Sequence, residues 1–214
     1  MIYIYLRGLF IGGFVHNFAV YLDFSLCKET YNNYSSKEIQ LYLKGTDKCF
    51  NNLVLIAPIF YVVNNTYFID QTVYYFQPLN AITILLGHNL FYYFAHMAMH
   101  KVSFIRFIHE FHHQFEKNLL PSIGNAVSEY EFLFAYLLPF VLMCNYLQPS
   151  QITLDFSIAV IAGLNMFIHS DLLYNLPYSR YFVSPKNHID HHKIQYKHYA
   201  APLVNIDNLL TSNK

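Results

Sequence analysis

The feature that most constrains the fold is a pair of apolar stretches separated by only four residues. The stretches are residues 132–147 (FLFAYLLPFVLMCNYL) and 152–168 (ITLDFSIAVIAGLNMFI), and the linker between them is QPSQ. Each stretch is close to the roughly 17 to 25 residues that a helix needs to cross a bilayer. Because the linker is so short, the sequence predicts a tight hairpin of two membrane helices.

Two earlier apolar segments predict a second hairpin. Residues 80–95 (NAITILLGHNLFYYFA) form a clear span, and residues 53–63 (LVLIAPIFYVV) form a shorter one that flanking Asn, Tyr and Phe extend. The N-terminal residues 2–22 are long enough to cross, but Arg7 and His16 interrupt them. A span, an interfacial helix and an uncleaved anchor therefore all stay open for this stretch.

Small residues near the N-terminus and the overall composition add further limits. Gly8 and Gly12 form a GxxxG pair, for which chance is the simpler explanation at this length. The chain is 55% apolar and 12% charged, and its net charge is zero, so nothing favours nucleic-acid binding. Cys27, Cys49 and Cys144 are odd in number and widely spaced, which argues against a disulfide framework or a thiolate metal site.

The positions of the basic residues predict a topology. If the four later segments cross the membrane, residues 64–79 and 148–151 lie on one side and contain no Lys or Arg. Apart from Arg7, the other twelve basic residues, Lys28 to Lys214, lie on the opposite side, which the positive-inside rule assigns to the cytosol. The same side receives His96, His100, His109, His112, His113, His169, His188, His191, His192 and His198.

Most of these histidines fall into short motifs. The motifs are HMAMH (96–100), HEFHH (109–113), His169 within FIHSD, and HIDHH (188–192). Residues at i, i+3 and i+4 share one face of a helix, so each motif can direct two or three imidazoles at one point. Ligation by nitrogen alone suits iron, zinc or copper, and so many ligands exceed the needs of one ion. The sequence predicts two metals in a histidine cage at the cytosolic membrane surface.

These motifs, in this order, resemble the fatty acid hydroxylase and sterol desaturase superfamily of integral-membrane di-iron proteins. The resemblance rests on YYFAHMAMH, FIHEFHHQ, FIHSDLLYNLP, SPKNHIDHH and the tail HYAAPLVNIDNLLTS with Asp207, and it covers roughly residues 80–212. The sequence departs from the family pattern in three places. Asn89 stands where many members have an acidic residue, Met97 where an arginine is common, and Leu173 where some have another histidine.

The resemblance implies the ligand set and no catalytic residue beyond the metal centre. The implied ligands are His96, His100, His109, His112, His113, His169, His188, His191 and His192. His198 and Glu131 are candidates for orienting a ligand ring through a hydrogen bond, although Glu131 could equally be an ordinary interfacial carboxylate. His88 is interpreted as a hydrogen-bonded residue inside the membrane, and Tyr92 and Tyr93 as part of an interfacial aromatic belt or of a substrate channel.

Spans and motifs together predict an all-α, multi-pass membrane protein. It would contain two transmembrane helical hairpins, about four spans, capped by a cytosolic histidine-rich helical region that holds a di-metal site. Residues 1–49 are predicted to be an N-terminal apolar or interfacial segment with a cytosolic linker, and residues 50–214 a hydroxylase-like domain. The endoplasmic reticulum membrane is expected if the source or expression host is eukaryotic.

The function that the resemblance implies is O2-dependent lipid modification. Two iron ions, with zinc possible in isolated protein, would use O2 and two electrons to hydroxylate or desaturate a fatty acid, sterol or sphingolipid. The sequence has no dinucleotide fingerprint, so a membrane-bound b-type cytochrome and its NAD(P)H reductase are the expected electron donors. Ether-lipid cleavage or aldehyde deformylation on the same scaffold, and a noncatalytic membrane metal binder, are the alternatives. The lipid itself and the oligomeric state do not follow from the sequence.

Overall fold

The computed structural model describes residues 1–116 and 119–211, and within these residues the chain is helical. An isolated antiparallel bridge between Phe182 and Val204 is the one piece of β structure in that part. The predicted all-α class is therefore confirmed. Lys117 and Lys214, two of the charges behind the predicted topology, lie outside the described residues.

Most of the helical residues lie in a few long elements. In chain order the α-helices are α1 (Ile2–Ser25), α2 (Lys28–Asn32), α3 (Ser36–Phe50), α4 (Ala57–Tyr67), α5 (Pro78–Lys101), α6 (Phe107–Glu110), α7 (Glu129–Glu131), α8 (Leu138–Leu147), α9 (Gln151–Ile168), α10 (Pro185–Ile194) and α11 (Ile206–Thr211). Short 3₁₀ turns occupy Ser103–Ile105, His112–Gln114, Pro121–Asn125 and Asp171–Leu173.

Two π-helical segments join neighbouring α-helices into continuous rods. Asn51–Ile56 connects α3 to α4, and Phe132–Leu137 connects α7 to α8. In both rods a proline, Pro58 or Pro139, is the second residue after the π segment. Proline lacks the N–H that would continue the α-helical hydrogen bonds. A π turn, with its wider hydrogen-bond spacing, lets the helix continue although that bond is missing.

The hairpin predicted from QPSQ is present. α8 ends at Leu147, Gln148 adopts a left-handed conformation with φ 45°, and the Ser150 hydroxyl accepts a hydrogen bond from the Thr153 N–H to cap α9. The two arms are long and apolar enough to cross a membrane, with mean hydropathies of 1.4 for Glu129–Leu147 and 1.6 for Gln151–Ile168.

The two loops that lack Lys and Arg meet at one end of the helix bundle. The Asp70 N–H donates to Pro149 O at 3.1 Å, and the Gln77 N–H donates to the Thr153 hydroxyl at 2.9 Å. The residues that the charge pattern groups on one side therefore lie together in space, and α5 and α9 run from this end towards the histidines.

α1 packs against the α3–α4 rod through its glycines. A Cβ atom added to Gly12 would lie 1.8 Å from the Leu53 carbonyl oxygen, and one added to Gly8 would lie 3.0 Å from the Tyr61 ring. The GxxxG pair is therefore a close helix contact, and the interpretation as chance was wrong. Glycine is needed here because only its missing side chain lets the backbones approach so closely.

Arg7, which interrupts the N-terminal apolar stretch, is neutralised by a partner on α9. Its guanidinium donates to one oxygen of Asp155, and the other oxygen accepts from the Tyr61 hydroxyl at 2.6 Å. At the opposite end of α1, Asp23 accepts from the Tyr42 hydroxyl at 2.9 Å. α1 is thus fixed at both ends and runs the length of the bundle.

Candidate metal centre

The structure brings all nine predicted ligand histidines together in two adjoining groups. Within each group one ring nitrogen of every residue lies within 4.8 Å of the corresponding nitrogens of the others. Site A consists of His96, His100, His109, His113 and His191, and site B of His112, His169, His188 and His192. The predicted convergence of the middle motif with the last motif and with two helix ends is present.

The geometry of a helix explains how each HxxHH motif is divided between the two sites, which the spacing alone did not reveal. In HEFHH the first and last histidines face site A and His112 faces site B, whereas in HIDHH only His191 faces site A. Adjacent residues in a helix point about 100° apart, while residues at i and i+4 nearly coincide. Each motif therefore supplies an i, i+4 pair to one site and a single ring to the other.

In site A the ring nitrogens lie at the spacing of ligands around one ion. The Nε2 atom of His96 lies 2.8 Å from that of His109 and 3.0 Å from that of His191. The Nε2 atoms of His100 and His113 are 3.1 Å apart. Metal–imidazole bonds of about 2.1 Å place neighbouring ligand nitrogens about 3 Å apart.

Site B has the same spacing and is more deeply buried. The Nε2 atom of His169 lies 2.9 Å from that of His188 and 3.3 Å from that of His112. The ring of His192 lies 4.6 Å from that of His112 between centroids, and neither of its nitrogens has a hydrogen-bond partner among the residues that the structure describes. A buried imidazole with no partner is costly, and an ion bound at this point would remove that cost.

Hydrogen bonds on the outer side of the rings fix their tautomers. The Nδ1 atoms of His96 and His191 donate to the carbonyl oxygens of Tyr199 and Lys197, each at 2.7 Å. A carbonyl oxygen only accepts, so Nδ1 carries the proton and Nε2 of the neutral ring is a bare lone pair. The short contact between these Nε2 atoms is therefore not a hydrogen bond. Lone pairs converging on one point fit a cation.

The electrostatics favour the neutral, metal-binding form of the rings. Burial, with smaller contributions from neighbouring histidines, lowers the pKa of His112, His188 and His192 well below its ordinary value. Burial likewise lowers the pKa of His113 and of His169 to about 4. These rings are thus unprotonated near neutral pH, the form in which imidazole binds metals.

Glu131 makes the contact that the sequence suggested for it. The Nδ1–H of His109 donates to Glu131 Oε1 at 2.7 Å, and both side chains are buried. A carboxylate on the outer nitrogen fixes the ring and increases its basicity towards a metal.

His198 does not make the contact considered for it, a hydrogen bond that orients a ligand ring. No hydrogen bond joins its side chain to a ring of either site among the described residues, and its backbone has a positive φ of 63°. The carbonyls on either side of it, those of Lys197 and Tyr199, are the acceptors for site A. Sequence reasoning missed these carbonyls, and those of Asn165 and Ala126 at site B, because every residue has one.

The remaining singled-out residues lie outside both sites. His88 Nε2 lies 3.1 Å from the Tyr136 carbonyl, which agrees with its interpretation as a hydrogen-bonded interior residue. Tyr92 and Tyr93 are only 2% and 5% exposed, so they do not form an outward-facing aromatic belt. Asn89, a departure from the family pattern, accepts hydrogen bonds from the N–H groups of residues 203 and 204 and so holds the C-terminal tail.

The two sites differ in their access to solvent. An open groove beside site A is lined by His100 and His113 and by the charged side chains of Lys101, Arg106 and Glu110. All four histidines of site B are buried. Site A is therefore the part of the centre that small polar molecules can reach from outside.

Comparison with known proteins gives one match. A family model described as "Fatty acid hydroxylase" matches residues 81–212, a region that contains all nine histidines. No curated protein and no solved structure gives a significant match.

Proposed function

The chain belongs to the fatty acid hydroxylase family, and on this premise we propose that it is an O2-dependent lipid-modifying oxidoreductase of a membrane. The observation that carries the proposal is the convergence of nine histidine rings on two adjoining points. Hydroxylation or desaturation of a fatty acyl chain, sterol or sphingolipid is the proposed reaction.

Two iron ions are the proposed cofactors, one held by site A and one by site B. Bound iron would supply the activation of O2 and the attack on an unactivated C–H bond. The residues of the chain supply the surroundings. The carbonyls of Lys197 and Tyr199 and the carboxylate of Glu131 hold the rings in one tautomer, and the burial of site B excludes water from that side.

The proposed orientation places the histidines on the cytosolic side. It is supported by the meeting of the loops that lack Lys and Arg at the opposite end of the bundle. We further propose that Asn51–Ile56 continued by α4, then α5, the α7–α8 rod and α9, are the four spans. α1 would be a fifth, because it extends from Arg7 beside Asp155 to Asp23 beside Ser122. The endoplasmic reticulum is the proposed membrane in a eukaryotic host.

An external electron donor completes the proposal. A membrane-bound b-type cytochrome with its NAD(P)H reductase would reach the centre from the groove at site A, where Lys101, Arg106 and Glu110 provide charged contacts. The histidine sites lie below this groove, so electrons would arrive from the aqueous side and lipid from the helix bundle.

The proposal is tested by metal analysis and by lipid profiles. Purified protein is expected to contain about two irons per chain and to show NAD(P)H-dependent O2 uptake with lipid and the donor system. Cells that express His112→Ala should lose the new lipid product. His16→Ala is the matched control, because His16 contacts Cys49 and Phe50 and lies outside both sites.

The products also separate the alternatives. Added oxygen or a new double bond supports the proposal, whereas a cleaved ether lipid or a shortened aldehyde indicates the same scaffold with another outcome. Wholly metal-free protein that leaves the lipids unchanged would refute it.

A further inference from the structure

An apolar cavity lies inside the helix bundle, beside site B. Its walls include Leu154 and Asn165 of α9, which are eleven residues apart and so about 16 Å apart along the helix. Residues of α1, the α3–α4 rod and the α7–α8 rod, with Asn125, complete the walls, and no charged side chain is among the described residues that line it. The cavity is therefore long and apolar.

Each end of the cavity has a buried asparagine with an unpaired atom. Asn125 and Asn64 both line it and are each 4% exposed. Within residues 1–116 and 119–211, Asn125 Nδ2 and Asn64 Oδ1 have no hydrogen-bond partner. Buried polar groups are normally paired, and an unpaired one requires an explanation such as an absent ligand.

Neighbouring hydrogen bonds fix the orientation of the Asn125 amide. Asn165 Nδ2 donates to Gly124 O at 2.7 Å and to Asn125 Oδ1 at 3.4 Å. Turning the Asn125 amide over would bring two NH2 groups together, so the free atom is a donor. Asn64 Nδ2 already donates to Phe60 O at 3.0 Å, so its free atom is an acceptor.

The Asn125 end is the one next to the metal centre. The carbonyl of Ala126, the next residue, accepts from His112 Nδ1 at 3.4 Å. The carbonyl of Asn165 accepts from His169 Nδ1 at 2.7 Å. The backbone at this end of the cavity therefore holds two of the site B rings.

We propose that the cavity binds a neutral, single-chain acyl ester or amide, whose carbonyl oxygen accepts from Asn125 Nδ2 and whose chain extends towards Asn64. An ester carbonyl only accepts, so it pairs with the donor at Asn125 and not with the acceptor at Asn64. An ionised carboxylate would lack a counter-charge in this cavity and would be costly to bury. This inference rests on the proposed function and specifies its substrate class.

The orientation of the chain can be measured by fluorescence, because the protein has no tryptophan. Phe132→Trp and Phe60→Trp each place one fluorophore in the cavity wall. The probes are methyl dodecanoate brominated at carbon 3 or at carbon 11, added under nitrogen to the purified full-length protein with its metals, so that no turnover occurs. Bromine at carbon 3 should quench the fluorophore at position 132 more strongly, and bromine at carbon 11 the one at position 60.

The hydrogen bond is tested by affinity. Asn125→Leu should weaken binding of methyl dodecanoate about tenfold, which corresponds to about 1.4 kcal/mol, and should leave dodecane binding within about twofold. Asn65→Leu is the matched control, because Asn65 is a buried asparagine with an unpaired oxygen that does not line the cavity. It should leave both affinities unchanged.

Three results would overturn the inference. They are a reversed quenching pattern, quenching that does not depend on the bromine position, and an unchanged ester affinity in Asn125→Leu. Each can occur in protein that contains two irons and oxidises lipid, so a failure here is distinguishable from a failure of the proposed function.

Discussion

Two histidines that are adjacent in the sequence can face different metal sites. His112 and His113 are adjacent, yet one faces site B and the other site A. The nine positions could be predicted, because motif spacing is visible in the sequence. The partition between sites could not, because it depends on the angle at which each short helix meets its neighbours. The outer carbonyls of Lys197 and Tyr199 were equally hidden, since the backbone of every residue offers the same group.

At this scale the contact between Glu131 and His109 gives a prediction. Glu131→Leu removes the acceptor for His109 Nδ1, so the ring can adopt the wrong tautomer. Loss of such an outer partner typically weakens metal binding about 10- to 100-fold. We expect a decrease of this size for one of the two ions, measured by competition with a coloured chelator.

Glu129→Leu is the matched control for that measurement. Glu129 lies two residues away and pairs with Lys48 outside the metal centre. Metal affinities within about twofold of wild type are expected for it. Equal affinities in the two variants would show that Glu131 does not orient His109.

Among the helices, α1 shows how a close approach fixes a position in the bundle. The apolar stretch of residues 2–22 left three placements open, because hydropathy does not reveal what a helix packs against. The structure resolves its packing through Gly8 and Gly12, which contact the α3–α4 rod. The π segments before Pro58 and Pro139 were also beyond prediction, because a proline in an apolar run can kink a helix, end it or widen one turn.

Two adjacent glycines provide a test of this contact. Gly12→Ala would place a Cβ atom 1.8 Å from the Leu53 carbonyl oxygen, whereas the same change at Gly13 meets no atom of the described residues within 4 Å. Overpacking of this kind costs about 1–3 kcal/mol. We expect Gly12→Ala to lower the thermal midpoint by several degrees in detergent.

Gly13→Ala should leave that midpoint unchanged or raise it, because alanine favours a helix over glycine by about 1 kcal/mol. A Gly12→Ala protein as stable as the Gly13→Ala protein would mean that α1 does not pack closely on Leu53.

For the whole molecule, the distribution of basic residues predicted which loops lie together. It succeeded because the hairpin linker and the loop between α4 and α5 are both free of Lys and Arg, and hydrogen bonds such as that from Asp70 to Pro149 join them. It could not place the N-terminus, because Arg7 contradicts the rule unless its charge is paired. That pairing involves Asp155, and the sequence gives no sign of so distant a contact.

The proposed topology can be tested by labelling from each side of the membrane. The native cysteines are buried, so a membrane-impermeant maleimide should report only introduced ones. Glu110→Cys is expected to react from the cytosolic side, and Thr72→Cys and Ile2→Cys from the opposite side. Reaction of Ile2→Cys together with Glu110→Cys would show that α1 does not cross.

The ion pair between Arg7 and Asp155 has a consequence for the order of events during synthesis. The two residues are 148 positions apart, and Asp155 belongs to the last long helix to leave the ribosome. In the proposed topology, Arg7 of α1 therefore has no counter-charge at the membrane until the hairpin of α8 and α9 inserts. A chain that stops before α9 never acquires the counter-charge, so pairing of Arg7 depends on the synthesis of α9.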